Sequence, residues 1–261
     1  MFRRRDNRLV SKERATDNGA MNKEILAELA PTGVLRAGIN LSNFLLVTGR
    51  SANADPEGVA PDMARAIAAD LGVPLALVPF KAPGLLADAA EQNVWDIGLI
   101  GAEPLRAEKI AFSAAYVEIE ATYLVPAGSP LKTIADVDAK GVRIVVSARS
   151  AYELWLTRNI KNATLTLVEG LGGALDAFIA QKFDALAGLR PGLIGDIKKV
   201  PGGKILDGQF TAVQQAVGTQ RKNTKGAAYL AEFVEKAKKS GLVASLIEKH
   251  KVVGLSVAPP A

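Results

Sequence analysis

With 261 residues, 49% of them hydrophobic and 23% charged, the chain has a globular composition and length enough for one large domain or two of about 100–130 residues. It contains no cysteine and one histidine, His250, which excludes disulfide frameworks, cysteine–histidine catalysis and Cys/His zinc sites. No apolar run approaches the ~20 residues of a membrane span, and residues 1–20 carry +3 of the net charge of +5.

That basic segment, Arg3 to Arg14 with few acidic residues, predicts a disordered tail over residues 1–20 and no nucleic-acid partner. It lacks the apolar segment and small-residue cleavage site of a secretory signal. From Met21 strand and helix patterns alternate. Asn22 to Leu29 predicts a short helix stopped by Pro31, and Val34 to Ile39 a strand ending near Asn40. Pro61 to Leu71 predicts a helix with proline at its start, Asp62 in its first turn and Gly72 past its end. Strand Pro74–Pro79, helix Gly84–Gln92 and the wholly apolar strand Asp96–Ile100 follow. After Pro126 the pattern restarts: strand Val142–Val146, helix Ala151–Ile160, strand Thr164–Val168, helix Leu171–Gln181 and strand Ala185–Gly188. A strand near Ala212–Gly218 and helices Gly226–Lys239 and Leu242–Lys249 complete the chain. Strands alternating with helices imply mainly parallel sheets, and two such runs imply two lobes.

The segment from Gly98 to Ser113 carries the most chemical information. An apolar strand ends in glycine and turns over Arg106, six residues before Phe112-Ser113. Ligands of open α/β sheets bind at the carboxyl ends of the strands. A planar guanidinium there matches a carboxylate or other small oxyanion. Gly170-Leu-Gly-Gly173 is not a phosphate loop, because no Gly-Lys-Ser/Thr follows it. His250 reads as a solvated helix-end residue.

Several ordered motifs resemble the family 3 extracellular solute-binding proteins, the amino-acid receptors of ABC importers. They are Val34-Leu-Arg-Ala-Gly-Ile-Asn40, Glu57 to Val73, Trp95-Asp96, Arg106, Phe112-Ser113 with Tyr116, Leu131 to Gly141, Asp184-Ala185 and Ser240-Gly241. The resemblance implies an α/β, periplasmic-binding-protein-like type II fold: two α/β lobes joined by two crossing hinge strands, with a ligand cleft between them. Lobe one would comprise residues 21–121 plus 217–261 and lobe two 125–212, with hinge strands near 121–125 and 213–218. A small solute would be enclosed by hinge closure.

Carried over by position, Arg106 is the arginine that pairs with a ligand carboxylate. Gly101 and Glu103 stand where the family often has threonines, and Arg149-Ser150-Ala151 where it has an anion loop. Ser150 and the backbone N–H groups at the helix start remain as donors there. Asn40, Asn43 and Phe44 occupy the first loop. The aspartate that grips an α-ammonium is replaced by Leu189, followed by Arg190.

These residues carry simpler readings as well. Arg106, Arg149 and Arg190 can be surface arginines, Glu103 a solvated turn residue or a substitute ammonium partner, and Glu118 and Glu120 a solvated strand edge. Of Gln214 and Gln215, adjacent on a strand, one faces the cleft; Gln214 is assigned to the site. The expected protein is a non-catalytic, cofactor-free and metal-free monomeric receptor for a carboxylate-bearing solute. It would work with importer membrane subunits and, by resemblance, in the periplasm. The alternatives are a cyclohexadienyl-dehydratase-like enzyme using Glu103, Glu118 or Glu120 as general acid, and a cytoplasmic ligand sensor.

Overall fold

Alternating strands and helices close into one long mixed sheet with helices on both faces. The structure, a computed structural model, describes residues 22–261; the basic tail expected over residues 1–20 lies outside them. In chain order, helix α1 covers residues 22–29. Strand β1 (Leu35–Asn40), the short hairpin β2 (Gly49–Arg50) and β3 (Pro56–Glu57), α2 (Val59–Leu71), β4 (Leu75–Phe80) and α3 (Pro83–Asp88) follow. Next come β5 (Ile97–Gly101), α4 (Pro104–Ala107) and the 16-residue β6 (Ile110–Val125). The later half contains α5 (Ile134–Val137), β7 (Arg143–Ser147), α6 (Ala151–Asn159), β8 (Thr164–Val168), α7 (Leu171–Ala180), β9 (Ala185–Leu189) and α8 (Arg190–Asp196). It ends with β10 (Lys204–Ile205), β11 (Thr211–Gln220), α9 (Thr224–Lys239), α10 (Leu242–Lys249) and β12 (Ser256–Val257).

The strand order is β4-β1-β5-β11-β6-β9-β7-β8. Two parallel sets, β4-β1-β5 and β9-β7-β8, flank the antiparallel pair β6 and β11. That pair runs from Thr211 opposite Ala121 to Gln220 opposite Ile110, so the same two strands serve both halves. The crossing strands are therefore longer than the short segments expected near 121–125 and 213–218.

Strand pleating divides each half into two apolar layers. In β7, Ile144 and Val146 pack with Tyr123 and Leu156, whereas Val145 joins Phe178 and Leu186 on the opposite face. In the first half, Met63 and Ile67 of α2 pack with Leu35, Ile97 and Leu99, and Trp95, Leu86 and Ile100 form the layer behind. This burial on both faces explains why β5 and β7 read as continuous apolar runs.

The two halves also share a joint. Asp96 accepts the Arg36 backbone N–H at 2.9 Å and returns its own N–H to the Arg36 carbonyl at 2.8 Å. Asp184 does the same with Arg143, at 2.8 and 3.1 Å. Each aspartate fixes where its strand enters the sheet, so the Asp96 and Asp184 motifs are structural. Ser113 is structural too. The β6–β11 register slips around Ala216, and the Ser113 hydroxyl accepts the Val217 N–H there at 3.2 Å, satisfying a donor the ladder leaves unpaired.

Helix α2 starts two residues earlier than expected, at Val59. Its N-cap Gly58 has φ +146°, and a Cβ there would lie 2.3 Å from the Leu46 carbonyl oxygen, so only glycine fits. Helix α8 was not expected; Arg190 and Pro191 open it. His250 ends α10 but is not solvated: its Nε2 lies 2.7 Å from Asp62 Oδ2 and the ring is largely covered.

Candidate functional site

A cavity of about 500 Å³ opens between the two halves. Its walls include the carboxyl-terminal residues of four parallel strands: Asn40 of β1, Gly101 of β5, Ser147 of β7 and Leu189 of β9. This is where a doubly wound sheet binds ligands, because strand ends leave free backbone groups beside helix starts. Val213 and Gln215 of β11 also line it.

Arg106 is the most buried cation of the site, with 5% of its surface exposed. Its guanidinium donates to the Gly101 carbonyl at 2.7 Å and the Arg149 carbonyl at 2.9 Å. It forms no ion pair among the described residues. Burial draws its pKa down to about 10; the Glu103 and Glu153 charges oppose that fall and Arg149 adds to it. The side chain stays charged at neutral pH. A desolvated cation held only by neutral carbonyls is electrostatically incomplete, and an anion in the cavity would complete it.

Opposite it lies the amino end of α6. Ser150 is the N-cap, its hydroxyl oxygen accepting the Glu153 N–H at 3.1 Å. Its own proton is shared between the neighbouring Tyr152 oxygen and the cavity. The adjoining residues Ala151 and Tyr152 also border the cavity, so helix-start N–H groups and the guanidinium converge. Burial raises the Tyr152 hydroxyl to about 12; hydrogen bonds with Ser150 and Ser147 work against the shift and the Asp196 and Glu153 charges work with it. It is a neutral donor at physiological pH.

Asn40, Asn43 and Phe44 line the opposing wall. Asn40 Oδ1 accepts from the Ser42 hydroxyl at 2.8 Å, and Asn43 Oδ1 from the Leu45 N–H at 3.2 Å, which sets the loop and leaves both amide groups as donors. A Cβ at Gly192 would come 3.6 Å from the Phe44 ring, and one at Gly101 would come 2.9 Å from Ala151 Cβ. Residues of the two lobes therefore approach one another at both places, most closely at Gly101.

Four residues assigned to the site from sequence are turned elsewhere. Glu103, 6% exposed, is bound by both guanidinium nitrogens of Arg158, at 2.5 and 2.9 Å; it is neither a solvated turn residue nor free for an ammonium. Arg149 has φ +60° and sends its guanidinium away, to Asp88 at 2.6 Å and the Gly84 carbonyl at 3.1 Å. Arg190 pairs with Glu120 at 2.7 Å and donates to the Leu206 and Gly208 carbonyls. Gln214 donates to Glu118 at 2.9 Å, so its neighbour Gln215 faces the cavity. Each correction has one physical reason: a long polar side chain found a charged partner on a segment distant in sequence.

Sequence reasoning did not single out Tyr152, Lys81 or Asp196, all of which line the cavity. Tyr152 was open to discovery, standing two residues after an N-cap serine. Asp196 was not, because α8 itself went unrecognised.

Two α/β lobes sharing two long strands, with a cavity between strand ends, define the type II periplasmic-binding-protein fold. Solved structures with this arrangement include a solute receptor for L-cysteine from Neisseria gonorrhoeae, 20% identical, with TM-score 0.70 over 88% of this chain and 95% of that one. An amino acid ABC transporter substrate-binding protein from Streptococcus pneumoniae, bound to L-arginine, is 20% identical with TM-score 0.68 over 90% and 99%. An ancestral amino acid-binding protein described as a precursor of cyclohexadienyl dehydratase is 22% identical with TM-score 0.68 over 86% and 98%. No curated protein sequence matches significantly. Within the fold class the family is explicit: over residues 41–252 the sequence matches the bacterial extracellular solute-binding proteins, family 3, and the chain belongs to that family.

Proposed function

We propose that this protein is the solute receptor of an ABC-type importer and that it binds a small carboxylate-bearing compound by closing two lobes around it. The observation that carries this reading is Arg106: a nearly fully buried guanidinium on the cavity wall, with carbonyl partners only. Its remaining donors, the Ser150 hydroxyl and the start of α6 make a compact anion receptor. The lobes turn about β6 and β11, residues 21–121 with 217–261 moving against 125–212. Export to the periplasm fits the family. Binding without catalysis is supported by Glu103, Glu118 and Glu120, the carboxylates considered as general acids: none borders the cavity, and each is engaged by another side chain.

The test is calorimetry and thermal shift with a panel of mono- and dicarboxylates, on the wild type and on Arg106→Ala and Arg106→Lys. Truncating one side of a buried charge pair costs about 2–5 kcal/mol, roughly 30- to 4,000-fold in affinity. Arg106→Ala is expected to abolish carboxylate binding while keeping the fold. Arg106→Lys is expected to lose most of it, because a point charge does not reproduce the fork. Unchanged affinity in either variant, or no carboxylate bound by the wild type, refutes the proposal.

A further inference from the structure

The cavity is electrically polar. Its first-lobe wall holds Lys81 and Arg106, and its second-lobe wall holds Glu169, Asp176 and Asp196 against Lys199. Asp196 stands apart from the other two acids. Glu169 and Asp176 are exposed at the rim, whereas Asp196 is half-buried at the last residue of α8. Among the described residues it has no hydrogen-bond or ion-pair partner. Glu103, Glu118, Glu120, Glu153 and Asp88, the acids around the cleft that are not on its wall, are each engaged by another group. A carboxylate taken partly out of water and given no partner is unfavourable unless something that binds there completes it.

The neighbourhood defines what that would be. Burial raises the Asp196 pKa, with Lys199 opposing the shift, and the Asp196 charge in turn acts on the Tyr152 hydroxyl. Leu189, at the N-cap of the same helix, is apolar and also on the cavity wall. A cation next to the bound carboxylate would therefore face leucine. Asp196 lies seven residues further on, about 10 Å along a helix axis.

We propose that Asp196, which shares the second-lobe wall of the cavity with Tyr152, receives a cationic group of the solute, so that the protein selects carboxylates carrying a positive charge several bonds away from the carboxylate rather than on the α-carbon. This rests on the reading of Arg106 as the carboxylate receptor and adds the second pole. The solute would lie between the lobes with its anionic end toward the first lobe and its cationic end toward the second, against opposite charges at both. An extended ω-amino or guanidino acid has that form; an α-amino acid with an uncharged side chain does not.

The test is calorimetry of the full chain with 4-aminobutyrate, 5-aminovalerate and 6-aminohexanoate. The controls are butyrate, pentanoate and hexanoate, which lack the amine, and L-norvaline and L-norleucine, in which the amine sits on the α-carbon. At least one ω-amino acid is expected to bind about 10- to 100-fold more tightly than both of its controls, the scale of one charge-assisted contact. Asp196→Asn is expected to abolish that preference without weakening alkanoate binding, since a negative charge is removed from the cavity wall. Its unliganded melting temperature should hold or rise, since an unpaired charge is removed. Equal binding of ω-amino acids and alkanoates by the wild type, or a preference that survives Asp196→Asn, overturns the inference while leaving the Arg106 reading intact. Failure of every one of these carboxylates to bind overturns both.

Discussion

Arg158 joins the lobes, and replacing it has a consequence that can be sized from the geometry. Its guanidinium reaches from α6 to Glu103 at the start of α4, contributing two hydrogen bonds at 2.5 and 2.9 Å. The Glu103 side chain is 6% exposed and that of Arg158 38%. In Arg158→Met the methylene packing is largely retained, and an almost dry carboxylate is left without its partner. A fully buried pair broken in this way loses about 3–5 kcal/mol. Because water reaches the guanidinium side, the expected loss is smaller, about 1–3 kcal/mol. The contact spans the two lobes, so the loss falls on the closed arrangement and favours opening by roughly 5- to 150-fold. Small-angle scattering of the unliganded protein should report a larger radius of gyration, and carboxylate affinity should weaken by a similar factor. Glu103→Gln combined with Arg158→Met should recover part of the loss, because the stranded charge is gone. A radius and affinity both unchanged in Arg158→Met, or strictly additive losses in the double variant, would show that the pair does not link closure to binding.

Gly101→Ala puts a Cβ 2.9 Å from Ala151 Cβ and 3.1 Å from Val213 Cγ1; denaturant titration should register a loss of about 1–3 kcal/mol, and an unaltered midpoint would mean the lobes do not meet there. Leu189→Asp supplies α8 with an N-cap acceptor and the cavity with a carboxylate beside the anion site. Calorimetry should then show α-amino acids gaining about tenfold over the matched alkanoates, and no gain refutes the assignment of that wall. Burial alone would push the Asp62 carboxyl up, but hydrogen bonds from Lys249, His250 and Arg65 outweigh it and hold it below the ordinary carboxylate range. The stabilisation is therefore present above about pH 4 and lost as the pH falls through the depressed folded value. Melting curves from pH 7 to pH 3 should fall more steeply for the wild type than for Asp62→Asn, and parallel curves would contradict this.

Much of the architecture was legible because it is written locally. The unbroken apolar runs of β5 and β7 announce strands buried on both faces, and Pro61 with Gly72 brackets α2. The Ser150 N-cap marks the start of α6, and Arg106 just beyond the glycine-ended β5 marks the cavity. The short helix α8 was hidden because Arg190-Pro191 reads equally as a turn. The length of β6 was hidden because its first part, Ile110 to Tyr116, shows no period-two alternation and no glycine or proline marks where pairing begins.

The sequence by itself determined the alternation of strands and helices, the division into two α/β runs, the family and the position of Arg106. Those features depend on hydrophobic period, caps and glycine placement, all of which act over a few residues. Only the tertiary structure decided which charges face the cavity. Glu103 is taken by Arg158, Arg149 by Asp88 and Arg190 by Glu120, partners 55, 61 and 70 residues away, whereas Asp196 has none among the described residues. A long charged side chain goes to whichever opposite charge the fold brings within reach, and that proximity is a property of packing that no local pattern records.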